Sequence, residues 1–188
     1  MTRPERPERP VDAGFPAVLR RNPGSVTDLL ERVAGEPVDA AILAQCLSPA
    51  SAGERVDLAG GNEVLHRAVL LRGRVTGRDY VYAETSIVPA RIPPSVRHRL
   101  EQTRDPIGRV LSDHRLAVGR EAMPGPARAL QADSSIAPLL AAAVLTRRYR
   151  ILLDAVPAFV IDEWFLETVA EVLGDNPGRL SRTSEPDV

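Results

Sequence analysis

The amino-acid sequence predicts an α+β domain: a mostly antiparallel β-sheet with short helices packed on it. Three observations carry that expectation. Two pairs of apolar, β-branched or aromatic runs are each separated by a few turn-forming residues, so each pair reads as an antiparallel hairpin. Short segments with helical spacing, led by Ser, Thr or Pro, lie between those pairs. The chain has 188 residues, 44% of them hydrophobic and 26% charged, which suits one core in one globular domain. Strands joined locally and interleaved with helices belong to the α+β class.

In chain order, Thr2 to Val11 repeats Arg, Pro and Glu, a composition that buries no apolar area and is held extended by its prolines. Residues 1–20 are therefore expected to form a disordered tail, and residues 21–175 a single domain. Ser25-Val-Thr-Asp-Leu-Leu-Glu-Arg-Val offers a hydroxyl cap, an acid in the first turn and apolar residues at helical spacing, so a helix begins at Ser25 or Thr27. Val38 to Leu47 is short and apolar, and periodicity alone leaves it open between strand and helix. Val64 to Leu71 and Tyr80 to Val88 form the first hairpin.

Pro93-Pro94-Ser95 introduces a short helix from Val96, and Asp105-Pro106 opens another through Ile107 to Leu111. Met123 to Gln131, with Pro124, Gly125 and Pro126, is the least regular stretch. Arg148 to Leu153 and Phe159 to Leu166, joined by Asp154-Ala155-Val156-Pro157, make the second hairpin. Residues 176–188 combine Pro, Gly, Ser and charge and read as a second disordered tail.

Composition excludes several classes. The formal net charge is -1, and the 24 basic residues, all Arg, are spread along the chain, which argues against a nucleic-acid-binding surface. His66, His98 and His114 have no spaced Cys or His partners, so no metal site is expected. Cys46 is single and forms no internal bridge. No apolar run approaches the roughly 20 residues that span a bilayer, and the first residues are Arg, Pro and Glu instead of a hydrophobic signal core, so no membrane association and a cytoplasmic location are expected. The chain is expected to be a monomer or a small homo-oligomer.

Successive strand residues point to opposite faces, so residues two apart share a side. In the first hairpin, Leu65, Arg67, Val69 and Leu71 share a face, placing a guanidinium in an apolar stripe. In the last strand, Phe159, Ile161, Glu163 and Phe165 do the same with a carboxylate. A charge buried without a partner is costly, so such groups pair, hydrogen-bond or change protonation state. Three arrangements fit: an internal Arg67–Glu163 ion pair, an edge strand on which both side chains reach water, or a pocket in which Arg67 anchors an anion and Glu163 sits near its reacting end.

The same residues carry a resemblance. Leu65-His-Arg-Ala-Val-Leu-Leu-Arg-Gly-Arg, Tyr80-Val-Tyr-Ala-Glu-Thr-Ser-Ile-Val-Pro and Leu100-Glu-Gln-Thr-Arg-Asp-Pro-Ile-Gly-Arg-Val-Leu resemble, in order and spacing, the central block of the chorismate pyruvate-lyases. Arg147-Arg-Tyr-Arg-Ile and Asp162-Glu-Trp-Phe-Leu resemble the family's closing strands, and Gly24-Ser-Val-Thr its first helix. The resemblance implies an enzyme without a cofactor that eliminates pyruvate from chorismate to give a hydroxybenzoate, with 4-hydroxybenzoate expected. It implies that Arg67 holds the aromatic carboxylate, helped by backbone groups at Val26 and Ile107, and that Glu163 lies at the hydroxyl end. One departure stands out: Glu84 precedes Thr85 where the ubiquinone branch of the family has Arg, which is similar to a branch serving phenolic lipids and other secondary metabolites. By alternation Glu84 lies with Tyr80 and Tyr82 and is expected to be solvated.

Chorismate carries two carboxylates, a ring hydroxyl and an enolpyruvyl ether, and loss of pyruvate aromatises its ring. The protein then has to hold a dianion, assist removal of a ring proton and supply or relay a proton to the enolpyruvyl group. Arg67 and Glu163 are the expected catalytic pair, Glu163 acting as general acid or relay. A second cation is expected for the enolpyruvyl carboxylate, with Arg148 or Arg150 as candidates and solvated edge arginines as the alternative; Arg148 is the one carried forward as a binding residue. His66 points to the other face and is left out of the site. The main competing function is a non-catalytic, effector-sensing domain of related fold; a lyase with another substrate or product is a third.

Overall fold

The computed structural model describes residues 25–129 and 135–175; the expected tails at 1–20 and 176–188 lie outside the described residues. Helix α1 (Val26–Ala34) starts where the capping pattern predicts, with the Ser25 hydroxyl accepting the Asp28 N–H at 3.0 Å. Gly35 ends it at φ 73°, a left-handed conformation that glycine adopts without steric penalty. Val38–Leu47, open between strand and helix in the sequence, lies in strand β1 (Val38–Pro49). Helix α2 (Ala52–Asp57) follows, closed by a reciprocal Ser51 and Glu54 capping box.

The first predicted hairpin is present as β2 (Glu63–Gly73) and β3 (Asp79–Ile87). A 3-10 turn (Pro89–Arg91), α3 (Pro94–Gln102) and α4 (Ile107–Asp113) come next, both helices beginning at the prolines that announce them. Strand β4 (Val118–Ala122) and helix α5 (Ala137–Ala141) precede the second hairpin, β5 (Leu145–Leu153) and β6 (Val156–Phe165), and α6 (Glu167–Asp175).

Among the described residues the strands form one antiparallel sheet in the order β1-β2-β3-β6-β5-β4. The α+β class follows from this sheet with its short helices. Elements not anticipated were α2, α5, α6 and β4. Helices α2 and α5, of six and five residues, show little periodicity, and β4 has five residues, includes Gly119 and is largely exposed, so its alternation carries no signal.

Both faces of the sheet are covered. On one, Leu29, Leu30 and Val33 of α1 pack on Val69, Leu71 and Phe165, while Val96, Leu100, Val110 and Leu111 of α3 and α4 pack on Leu65, Ile87, Phe159 and Ile161. On the other, Leu58 after α2 packs on Val64 and Val160, and Ile136, Leu139 and Leu140 around α5 pack on Tyr82 and Trp164. This second layer corrects the expectation for Glu84. It is 4% exposed and accepts the Tyr82 hydroxyl at 2.6 Å, because the face that alternation assigns to solvent lies under a second layer. Among the described residues, no helix is long and apolar enough to cross a membrane.

Candidate active site

The two packing clusters on the first face leave a cavity between them, with about 540 Å³ of empty space including its mouth. Its floor is the sheet: Arg67, Val69 and Leu71 from β2, Ala83 and Thr85 from β3, Ile161 and Glu163 from β6, and Tyr149 and Ile151 from β5. Its roof is made by two helix starts, Ser25-Val26-Thr27 and Pro106-Ile107-Gly108. Arg120 of β4 completes the lining.

Alternation along β2 puts Arg67 on this floor, and the structure buries it to 2% exposure. Its guanidinium donates to the Asp105 carbonyl at 3.2 and 3.3 Å and to the Thr103 carbonyl at 3.3 Å, while its Nε–H has no hydrogen-bond partner. Carbonyl oxygens satisfy N–H groups but do not neutralise a charge. Burial therefore pulls the guanidinium down to about 10, opposed by the charge of Asp105, and it stays protonated at neutral pH. The supporting loop is pinned from behind: Arg99 bonds Asp105 at 2.7 Å and Asp113 at 2.8 Å, and the Ala40 N–H donates to the Arg104 carbonyl at 2.9 Å.

Glu163 stands two strands from Arg67, across β3, and is 3% exposed. With strands about 4.8 Å apart, their backbones lie roughly 10 Å apart across the sheet. The two do not pair with each other. Arg147, directly opposite Glu163 in the ladder, donates to Glu163 Oε2 from Nε at 2.9 Å and approaches it with Nη2 at 2.8 Å. Tyr149 donates its hydroxyl to Glu163 Oε1 at 3.0 Å. Arg147 also lies over the Tyr149 ring, 4.4 Å from its centroid. Burial, reinforced by the charge of Glu163, pushes the Tyr149 phenol well above its ordinary range, so it remains a donor. Both carboxylate oxygens are thus held, and in this ion-paired form Glu163 faces the cavity as an acceptor.

Val26 and Ile107 are the first residues of α1 and α4, so their backbone N–H groups are among those a helix leaves without internal partners. Arg109 of α4 pairs with Glu31 of α1, tying the two helices together. Their starts approach closely because residue 108 is glycine: a Cβ there would lie 2.3 Å from Ser25 Cβ.

Arg67, Glu163, Val26 and Ile107 are therefore brought together around one cavity, whereas Arg148 is not. Arg148 lies on the opposite face, where it approaches Asp162 at 3.3 Å and pairs with Asp57. Arg150 shares that face's parity and pairs with Glu121 at 2.6 Å. Burial pushes Asp162 up to about 6, with nearby Glu84 adding to the rise and the Arg128 N–H and Arg148 opposing it. His66 is also on that side, with Ser86 and Glu54 each 3.4 Å from its Nδ1. The other parity of β5, Arg147, Tyr149 and Ile151, is the one that meets the site, and the register that sets Arg147 opposite Glu163 became visible only in the folded sheet. Arg120 had no signal in the sequence, since its strand was not recognisable. Among the described residues, no group of three or more His, Cys, Asp or Glu side chains is arranged to hold a metal ion.

Known proteins similar to this chain fall into two groups. A Mycobacterium tuberculosis protein named chorismate pyruvate-lyase is 29% identical over 157 residues, spanning 78% of this chain and 76% of the relative. Its counterpart of the same name in Mycobacterium leprae is 30% identical over 156 residues, spanning 81% and 74%. Among solved structures, the effector domain of PhnF from Mycobacterium smegmatis superposes with a TM-score of 0.51 at 16% identity, over 77% of this chain and 90% of that one. A further structure of PhnF gives 0.53 at 15% identity, over 79% and 66%. These structural likenesses speak to the fold alone. The family profile described as chorismate pyruvate-lyase Rv2949c-like matches residues 22–173, most of the chain, and the protein belongs to that family.

Proposed function

We propose that this chain is a chorismate lyase that eliminates pyruvate from chorismate and forms 4-hydroxybenzoate. The observation that carries the reading is Arg67: a buried guanidinium with no carboxylate in hydrogen-bond contact and an orphan Nε–H, lining a cavity whose floor also holds Glu163. A cation left in that state is completed by an anionic ligand. The ring carboxylate takes the Arg67 Nε–H, and the N–H groups at Val26 and Ile107 close over it from the roof, where helix starts favour negative charge. The apolar lining of Val69, Ala83, Ile151 and Ile161 accepts the ring.

Glu163, held by Arg147 and Tyr149, accepts the hydrogen bond of the ring hydroxyl and stands beside the carbon that loses its proton. The C–H electron pair of that carbon becomes the last ring double bond as the neighbouring carbon–oxygen ether bond breaks. Enolpyruvate leaves with the ether oxygen, and the proton, relayed by Glu163, is delivered to its methylene carbon to give pyruvate. Atoms balance without an added reactant, and aromatisation drives the step. A positioned proton-transfer group of this kind contributes roughly 10²–10⁴-fold in rate.

The competing reading is a domain that binds a small acid without transforming it, and the PhnF effector-domain likeness favours it at the level of fold. Incubating the purified chain with chorismate, following pyruvate release and identifying the aromatic product by mass separates the two. Release with 4-hydroxybenzoate as product is expected, and Glu163→Gln lowers turnover at least about 100-fold while 4-hydroxybenzoate still binds. Binding of the product with no pyruvate release favours the effector-domain reading.

A further inference from the structure

We infer that Arg120 binds the second carboxylate of a dicarboxylate substrate and thereby sets both its orientation and the preference for it over simple benzoates. The inference rests on the lyase reading for the identity of that substrate, the enolpyruvyl ether acid.

Topology places Arg120 on the right side of the sheet. It pairs with Ile151 in the β4–β5 ladder, and both line the cavity. The sheet order sets Arg67 on β2, Glu163 on β6 and Arg120 on β4, and the register sets Arg120 in the row of Ile151, Phe159, Ile87 and Leu65, on the side of the Arg67 row away from Glu163. The ligand likewise carries its second acid to one side of the line from ring carboxylate to hydroxyl. Its ring carboxylate lies at one end, its hydroxyl at the other, and its ether acid hangs from the carbon beside the hydroxyl, beyond the reach of the first cation.

Arg147, Arg148 and Arg150 are not among the residues that line the cavity. Arg147 is bound to Glu163 and stacked on Tyr149, while Arg148 and Arg150 lie on the opposite face with their own acids. Among the described residues lining the cavity, Arg67 and Arg120 are the two cations. They differ in depth: Arg67 is buried and Arg120 is exposed at the rim. The positive charge of Arg120 also acts on the Tyr149 phenol, which places it within electrostatic reach of the group that holds Glu163. An anion at Arg120 therefore sits at the rim of the cavity, with the cleaved ether directed to the mouth.

The test uses the full chain, its Arg120→Gln and Arg120→Lys variants, and two stable ligands: 4-hydroxybenzoate, with one carboxylate, and 3-(carboxymethoxy)-4-hydroxybenzoate, with two. Calorimetry is expected to show the dicarboxylate weakened about 10- to 100-fold by Arg120→Gln, the range of one charge-assisted contact, and 4-hydroxybenzoate by less than about 3-fold. Arg120→Lys recovers part of the loss. The Michaelis constant for chorismate rises with the dicarboxylate dissociation constant. Equal weakening of both ligands, or of neither, overturns the assignment. Wild-type pyruvate release is scored separately. A dicarboxylate preference that disappears in Arg120→Gln, in a chain that releases no pyruvate, supports the assignment of Arg120 while removing the lyase reading. Turnover that proceeds unaltered in Arg120→Gln removes Arg120 and leaves the lyase reading intact.

Discussion

Replacing Arg67 by Met separates a residue kept for the ligand from one kept for the fold. Burial pulls this guanidinium from 12.5 to about 10. Each tenfold change in proton affinity corresponds to about 1.4 kcal/mol, so the buried charge disfavours folding by about 3 kcal/mol. The sign follows from the direction: below the folded value both folded and unfolded chains carry the proton and the full penalty is present, and it fades as pH rises from about 10 to 12.5. Opposing it are the contacts to the Asp105 and Thr103 carbonyls at 3.2–3.3 Å, long hydrogen bonds that contribute on the order of 1 kcal/mol each. These contributions nearly cancel.

Urea unfolding of Arg67→Met at pH 7 is therefore expected to give a stability within about 1.5 kcal/mol of the parent, with an unchanged slope. Calorimetry should show 4-hydroxybenzoate binding weakened at least about 100-fold, and the ligand's upward shift of the parent's melting temperature should vanish. A loss of about 3–5 kcal/mol on substitution, the signature of breaking a buried structural pair, would refute the reasoning. So would an unchanged ligand affinity.

Tyr149→Phe removes the 3.0 Å donor to Glu163 but keeps the ring under Arg147, so turnover should fall about tenfold with product affinity little changed; a fall below about twofold argues that Arg147 alone holds the carboxylate. Gly108→Ala places a Cβ 2.3 Å from Ser25 Cβ and 2.7 Å from its hydroxyl, so the helix starts must part; about 1–3 kcal/mol of stability and part of the 4-hydroxybenzoate affinity should be lost together, as read by urea unfolding and calorimetry. Asp162, pushed up to about 6 from 3.8, binds its proton more tightly folded than unfolded, so its ionisation erodes stability as pH rises through that window. Relative to the parent, Asp162→Asn should gain about 3 kcal/mol between pH 4 and pH 7 with pyruvate release unchanged; a flat difference across that range removes the penalty assigned to Asp162.

The legible parts of this fold were those with local physical causes. Ser25 caps a helix because its hydroxyl reaches the Asp28 N–H three residues on, and Gly35 ends it because it tolerates a positive φ. Each hairpin joins long runs of strand-forming residues through a short turn. Arg67 and Glu163 were recognisable because each interrupts an apolar stripe of period two, a pattern that survives without knowledge of any partner strand. Glu84 shows the limit of the same argument: alternation gave its face correctly, but whether a face meets water depends on the layer that α2 and α5 add from distant sequence.

What the sequence determined by itself was the class of the sheet, the starts of the main helices and the two charges turned toward the core, since each depends on neighbours a few residues away. Only the tertiary structure decided that those charges stand apart across a cavity instead of against each other. It also decided that Arg147 and Tyr149, not Arg148, meet Glu163, and that Arg120 reaches the rim. The physical reason is register: one residue of slip in β5 exchanges its two faces, and that register is set by pairing with β6 and by packing against helices, neither of which is written in local propensity.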